Sequence, residues 1–369
     1  MSGGVDSSVA ALLMQEQGYA CTGVTMRLYD DSVLGLDSDE VVCAESSCCS
    51  LRDVEAARKV ATTLRMPFHV FNFAEDFASA VIEKFVASYE AGQTPNPCID
   101  CNRYLKFERL LARAAELDFD VLATGHYART RYDEASGRWQ LLRGLDATKD
   151  QSYVLYGLTQ AQLERVRFPL GEMRKTEVRT RAGAAGFVNA NKPDSQDICF
   201  VPDGDYGAFI ERWRTGVATS ALEPGDILDA QGTVIGKHKG LARYTIGQRK
   251  GLEVAVGHPV YVIEKDYERN TITLGENAEL YHAGLIARAA NWVSIAPTTR
   301  PLQVTVKTTY RGSGHGATIT ALTAPGEAPG STRLRVDFDE PVRAAAPGQA
   351  MVAYDGDLLL CGATIDSVF

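Results

Sequence analysis

The chain has 369 residues, with 47 Asp and Glu against 38 Lys and Arg, and a formal charge of -9. A content of 45% hydrophobic and 23% charged residues is that of a globular protein with a sizeable core, which excludes disordered, collagen-like and low-complexity classes. The acidic balance excludes a protein that coats nucleic acid without specificity, but not one with a local basic surface.

Length alone suggests two or three domains. No apolar run approaches the roughly 18–20 residues of a membrane helix. The opening MSGGVDSSVAALL lacks the basic region and cleavage pattern of a secretory signal, so the cytoplasm is the expected compartment. In chain order, residues 7–17 carry Val9, Ala10, Leu12 and Leu13 at helical spacing, and Gly18 ends the run. Residues 21–26 form a short β-rich run, residues 53–64 a second helix with Ser50 as N-cap, and residues 68–73 a strand. A helix over 104–117 follows, then a strand over 119–125 that runs into a glycine turn. This alternation predicts an α/β fold built on a doubly wound parallel sheet. The pattern changes near Pro202. One more helix over 208–215 precedes short strands at 225–228, 259–264, 271–274, 302–307 and 332–338, punctuated by Gly, Pro and Asp. The expected division is a catalytic domain over 1–203, a small β-rich central domain over 204–281 and a C-terminal β-barrel over 282–369, with 323–331 as a hairpin loop.

Ser2-Gly3-Gly4-Val5-Asp6-Ser7-Ser8 leads directly into the first helix. Two glycines let backbone N–H groups turn inward, serine hydroxyls add donors, and the helix N-terminus adds partial positive charge, a combination suited to a pyrophosphate. No Gly-Lys-Ser/Thr follows, so this is not the Walker pattern. The plainer alternative is a Ser/Gly cap on a surface helix. Eight cysteines (Cys21, Cys43, Cys48, Cys49, Cys98, Cys101, Cys199 and Cys361) do not read as a disulfide framework in a chain of this kind. Cys98 and Cys101 form a CxxC ahead of a helix, where Arg103 and Lys106 favour a nucleophilic thiolate. A CxxC is also half of a zinc or iron–sulfur set, yet no second CxxC or histidine pair supplies the other ligands at the usual spacing, so no metal site is expected. Cys21 and Cys361 read as inert core residues.

The string SGGVDSS resembles the pyrophosphate loop of the ATP pyrophosphatase superfamily, which activates carbonyl or carboxyl oxygens as adenylates. In that superfamily the loop follows the first strand; here only Met1 precedes Ser2, so that strand is expected to be missing and one sheet position empty. The strings TPNPCIDCNRYLKF (94–107), TGHYAR (124–129), KDQSYVLY (149–156), KPDSQDICF (192–200), YTIGQRKGL (244–252) and PGQAMVAYDGD (347–357) extend the likeness through nearly the whole chain. Together they resemble the tRNA-specific 2-thiouridylases.

The resemblance implies adenylation of the wobble uridine of tRNA by ATP with Mg²⁺, then transfer of sulfur held as a persulfide. By motif position Cys199 would carry the persulfide and Cys101 would be the nucleophile, leaving a Cys101–Cys199 disulfide. Ser2, Gly3, Gly4, Val5, Asp6, Ser7, Ser8, Met26 and Gly125 would form the nucleotide site, Asp6 helping to position Mg²⁺. Asn96, Pro97 and Cys98 match the segment facing the target base. Many members carry aspartate where Cys98 stands, so no acid–base role transfers to it, and Asp100 is the nearest substitute. His126, Lys149, Asp150, Gln151, Tyr310, Arg311 and Gln349 would contact tRNA. Two basic clusters are expected to face it as well: Lys237, Lys239, Arg243, Arg249 and Lys250, interleaved with Tyr244 and Gln248, and Arg174, Lys175, Arg179 and Arg181. Six acids within 30–45 would make the field asymmetric. The implied partners are tRNA and a persulfide-donating protein, with neither DNA nor membrane. The competing reading is a small-molecule ligase of the same superfamily that forms AMP.

Overall fold

The structure, a computed structural model, describes residues 1–29, 51–194, 198–214, 219–322 and 332–369. The acidic stretch 30–45, Cys43, Cys48, Cys49, the Ser50 cap and the loop 323–331 lie outside the described residues.

The N-terminal region is α/β, and its parallel sheet is built in two pieces. Helix α1 (Val5–Glu16) buries Val5, Val9, Ala10 and Met14. Strand β1 (Gly23–Arg27) pairs in parallel with β2 (Phe68–Asn72), Gly23 opposite Phe68 and Arg27 opposite Asn72. Between them α2 (Leu51–Thr63) buries Ala57, Val60 and Ala61. The second piece pairs β3 (Leu122–Ala123) with β6 (Val166–Arg167). Met1 lies against β1: its amino group donates to the Val24 carbonyl, and Thr25 Oγ1 donates to the Met1 carbonyl at 2.6 Å. Met1, Val24, Thr25, Leu122 and Ala123 all border one large cavity, so the facing sides of β1 and β3 open into it.

The helix expected at 104–117 starts earlier. Pro97–Asp100 (α3) runs on through a wide, π-type segment, Cys101–Leu110, and a final α segment, Leu111–Glu116. Asn96 caps it by accepting from the Cys98 N–H, and Pro97 brings a helical φ to the first position. The CxxC therefore lies inside the helix rather than before it.

A hairpin that the periodicity does not announce follows β3. Strands β4 (Ala128–Asp133) and β5 (Arg138–Arg143) are joined by a turn in which Asp133 accepts from the Ser136 N–H and hydroxyl. β5 pairs with the last strand of the chain, Leu142 opposite Leu358 and Leu141 opposite Leu359. The central region is a four-stranded sheet of β7 (Gly225–Leu228), β8 (Val234–His238), β9 (Tyr261–Asp266) and β10 (Thr271–Gly275) in the order β8-β7-β10-β9, packed on Ile227, Leu241, Tyr244, Val262 and Ile272.

The C-terminal strands β11 (Tyr281–Trp292), β12 (Leu302–Lys307), β13 (His315–Leu322), β14 (Arg333–Arg343), β15 (Ala350–Asp355) and β16 (Leu358–Val368) run β11-β14-β13-β12-β15-β16, and β16 returns to β11. This closed six-stranded barrel leaves no free edge within the ring. Closure bends β11, whose register with β16 shifts at Ile286/Ala287 and Arg288/Asn291. The barrel is tied to the α/β region by a shared core that includes Phe107, Tyr153, Leu155, Val352, Tyr354 and Leu359. Tyr153 donates to the Ala350 carbonyl at 2.8 Å, and Asn291 donates to the Tyr156 carbonyl at 2.6 Å. Barrel residues thereby hold a fixed position over the α/β site. Among the described residues no helix is long and apolar enough to cross a membrane.

Candidate active site

A cavity of about 1530 Å³ lies where the loop before α1, the start of α3, the end of β3 and the barrel loops meet. The loop is shaped by contacts that glycine alone permits. Gly3 has φ +71°, and a Cβ there would sit 2.5 Å from the Asp53 carbonyl oxygen. A Cβ on Gly125 would sit 2.8 Å from the Asp6 carbonyl carbon and the Ser7 nitrogen, so the end of β3 rests directly on the loop. Ser7 and Ser8 donate to the Gly4 carbonyl at 3.1 and 3.0 Å, and the buried Asn189 amide donates to the Gly3 carbonyl at 2.9 Å and to Ser8 Oγ at 3.0 Å. Gly4, the N-cap of α1, supplies no side-chain hydrogen bond, which leaves the helix N-terminus facing the cavity without a cap of its own. A glycine cradle over an uncapped helix end fits a pyrophosphate. A Gly3→Ala variant is expected to weaken nucleotide binding at least tenfold, because the loop must move off Asp53; titration calorimetry with a non-hydrolysable ATP analogue measures it.

Asp6 is the carboxylate of this loop, and its oxygens are engaged. Lys175 Nζ lies 2.7 and 2.8 Å from them, and the Tyr127 hydroxyl donates at 2.8 Å. Burial, then the Asp6 charge, pushes the Tyr127 hydroxyl well up, so it stays a donor. Lys175 also meets Asp194 at 2.7 Å, and Asp194 receives Lys149 at 2.7 Å and Arg179 at 3.2 Å. Burial pushes the Asp194 carboxyl up, but hydrogen bonds from Lys149 and Lys175 outweigh it and hold the group below the usual carboxylate range. Lys192 pairs with Asp53. This charge network links the anion loop, the 149–151 segment and the segment leading to Cys199. A Mg²⁺ held by Asp6 would share that carboxylate with Lys175.

Of the residues assigned from sequence, Ser2, Gly4, Val5, Asp6, Ser7, Met26, Asn96, Pro97, Cys98, Cys101, Gly125, His126, Lys149, Asp150, Gln151, Cys199, Tyr310, Arg311 and Gln349 all line the one cavity. Gly3 and Ser8 lie behind it, shaping the loop. Asp150 and Gln151 border the cavity but spend polar atoms on the fold. The Asp150 carboxylate accepts from the Gly144 and Ser152 N–H groups, and Gln151 Oε1 accepts from the Tyr127 N–H. His126 is buried between Phe107 and Phe168, with Nδ1 2.8 Å from Thr124 Oγ1; burial, then Lys106, lowers its pKa, so the ring is neutral. Asp100 is not on the cavity: it is buried against Lys84, and burial raises its carboxyl despite that partner. Cys361 is in the barrel core, its thiol pushed up to about 12 by burial. Cys21 is a correction to the sequence reading: it borders the cavity, at the far end of β1.

Part of each basic cluster is ion-paired within the fold. Lys175 and Arg179 serve the Asp194 network, and Arg181 pairs with Glu16 at 2.8 Å. Lys237 pairs with Asp226 and Lys239 with Glu253, both at 2.6 Å, and Arg243 bridges Asp205 and Glu211. Tyr244 is buried in the central core. Folding brought acids from elsewhere in the chain to cations that stand without acids in sequence.

Sequence reasoning missed Asp194, Tyr127, Asp53, Asn189 and Asn102, and misread Lys175 as surface. Asn102 stands beside Cys101 on the cavity wall, and its buried Oδ1 has no partner among the described residues. Tyr127 and Asp194 do sit inside the TGHYAR and KPDSQDICF strings, which is the one signal that could have flagged them.

Family models match in three consecutive parts: a tRNA methyl transferase HUP domain over residues 1–203, a tRNA methyl transferase PRC-barrel domain over 218–276 and an aminomethyltransferase beta-barrel domain over 282–365. A protein of Symbiobacterium thermophilum named tRNA-specific 2-thiouridylase MnmA is 48% identical over 368 residues, covering 99% of this chain and 90% of that protein. Proteins of the same name from Moorella thermoacetica and Clostridioides difficile are 46% and 44% identical, covering 100% and 99% of this chain and 98% and 96% of their own lengths. With the anion loop, both cysteines and the barrel wall meeting in one cavity, and with likeness along the full length, the chain belongs to the tRNA-specific 2-thiouridylase family.

Proposed function

We propose that this protein is an ATP-dependent tRNA uridine 2-sulfurtransferase that converts the wobble uridine of tRNA to 2-thiouridine. The observation that carries this reading is that the pyrophosphate cradle and the Cys101 and Cys199 thiols open into the same cavity. Adenylation and sulfur delivery need the same base carbon, so the two chemistries must share one space.

The uridine O2 attacks the α-phosphorus of ATP and releases pyrophosphate onto the Ser2–Ser8 loop, with Met26 and Gly125 beside the nucleoside. Mg²⁺, when bound through Asp6, supplies charge neutralisation on the phosphates. Cys199 receives a sulfur atom from a persulfide-donating protein. The Cys101 thiolate attacks Cys199 Sγ and expels HS⁻; this adds at carbon 2, and AMP leaves with the former O2. Cys101 and Cys199 are left as a disulfide. Asn96 and Pro97 face the base, His126 buttresses that wall as a neutral ring, and Tyr310, Arg311, Lys149 and Gln349 guide the tRNA, with Asp150 and Gln151 bracing the wall behind them.

The methyl transfer in two of the domain descriptions finds no support in the cavity, because attack on a methyl sulfonium needs neither a phosphate cradle nor two thiols. A small-molecule ligase does not explain why barrel residues Tyr310, Arg311 and Gln349 form one wall. The test is reconstitution: purified protein, unmodified tRNA transcript, ATP, Mg²⁺ and a persulfide donor, with nucleosides resolved by mass spectrometry. ATP-dependent 2-thiouridine is expected; its absence with every component present overturns the reading.

A further inference from the structure

The geometry points to Cys98 as the resolving thiol of this site, taking the disulfide over from Cys199 after each transfer. The inference rests on the sulfur relay proposed above and goes beyond it by naming the residue that resets it. Five cysteines are described; Cys98, Cys101 and Cys199 all line the cavity, and Cys101 and Cys199 pack against the Phe200 cluster. Cys21 is set apart: it lies before β1, five residues from Met26, roughly 16 Å along a strand. Burial raises its thiol.

Three observations single out Cys98. First, the Cys101 N–H donates to the carbonyls of both Cys98 and Pro97, so a tight i to i+3 turn joins the two cysteines. Residues at that spacing on a helix lie on one face, with Cβ atoms about 5–6 Å apart. A disulfide needs Cβ atoms roughly 3.5–4.5 Å apart, so closing it draws the first turn of the helix in by about 1–2 Å as well as rotating the side chains. Second, the exposure is graded. Cys98 is exposed, whereas Cys101 and Cys199 are half-buried against a cluster containing Phe77, Phe85 and Phe200. A reductant in solution reaches Cys98 before the other two. Third, the Cys98 side chain is not needed to cap the helix, because Asn96 already accepts the Cys98 N–H at 3.2 Å.

The step balances without an added oxidant. Transfer leaves a Cys101–Cys199 bond, its oxidising equivalent supplied by the persulfide. The Cys98 thiol loses its proton to solvent, and its thiolate attacks Cys101 Sγ. A Cys98–Cys101 bond forms, the Cys101–Cys199 bond breaks, and Cys199 departs as a thiolate carrying the electron pair. Cys199 is then ready for another sulfur, and a dithiol reductant from solution reduces the exposed Cys98–Cys101 disulfide.

The test uses the full chain with Cys199 loaded by polysulfide, tRNA transcript, ATP and Mg²⁺ without reductant, quenched in acid, alkylated and digested with trypsin. No Lys or Arg separates residues 85 and 102, so Cys98 and Cys101 share the peptide 85–103. The expected wild-type product is an internal disulfide within that peptide and an alkylated Cys199. Cys98→Ser is expected to yield peptide 85–103 cross-linked to the Cys199 peptide instead. With a dithiol reductant present, the ratio of steady-state to first-turnover rate should fall at least tenfold in Cys98→Ser. Recovery from wild type of only the Cys101–Cys199 cross-link, or of no disulfide, overturns the inference, as does an unchanged rate ratio. Failure of wild type to form 2-thiouridine in the first turnover instead overturns the functional reading, which keeps the two failures apart.

Discussion

Cys199→Ser should abolish 2-thiouridine formation while tRNA-dependent release of pyrophosphate from ATP continues. Serine keeps the shape of the side chain but cannot hold sulfane sulfur, so Cys101 has nothing to attack. The expected loss is at least about 10³-fold in product, the scale seen when a covalent nucleophile is removed. The cradle should be intact, because the contacts that shape it come from Asp53, Asn189 and Gly125. Pyrophosphate release and nucleoside mass spectrometry on the same reaction separate the two half-reactions. Residual 2-thiouridine within tenfold of wild type would sink the relay; loss of pyrophosphate release as well would place Cys199 in the adenylation geometry instead.

Lys175→Met is expected to have the largest effect on stability. Its ammonium is nearly buried and joins two carboxylates, Asp6 at 2.7 Å and Asp194 at 2.7 Å. Removing one partner of a buried ion pair costs roughly 3–5 kcal/mol because the other charge is stranded. Here the cost should be about 2–3 kcal/mol, since Asp194 keeps Lys149 and Arg179 and Asp6 retains some exposure to water. Chemical denaturation measures it. Nucleotide affinity should fall as well, because Asp6 then repels phosphate. By contrast, the exposed Lys239–Glu253 pair should contribute under about 1 kcal/mol. The pH dependence has a definite sign. Asp194 is held below its unfolded value, so its contribution is present above pH of about 4 and is lost as pH falls through the lower folded value. A Lys175→Met stability as high as that of wild type would mean that the pair is already offset by solvent.

Much of this was written locally in the chain. The loop string, with glycines where backbone approaches backbone, announced an anion site because the requirement is a local one on φ and Cβ. Strands 225–228, 271–274 and 302–307 were readable to within a residue, since alternation toward a core is a property of the strand itself. The helix start was misjudged because the Asn96 cap and Pro97 precede a CxxC that draws the eye as a loop. The hairpin 128–143 was missed because its strands are mostly polar, and β5 joins a larger sheet only through β16, more than 200 residues away.

The sequence by itself determined the class of fold and marked an anion loop, which depend on residue type and short-range spacing, while the two cysteines of the proposed relay came from the likeness of its motif strings. Only the tertiary structure decided which charges face the cavity. It turned Lys175 inward to Asp6 and Asp194 and set Asp150 and Gln151 to hold the wall. The physical reason is that a buried charge must find an opposite partner wherever the chain brings one within about 4 Å, and sequence neighbours do not reveal that partner.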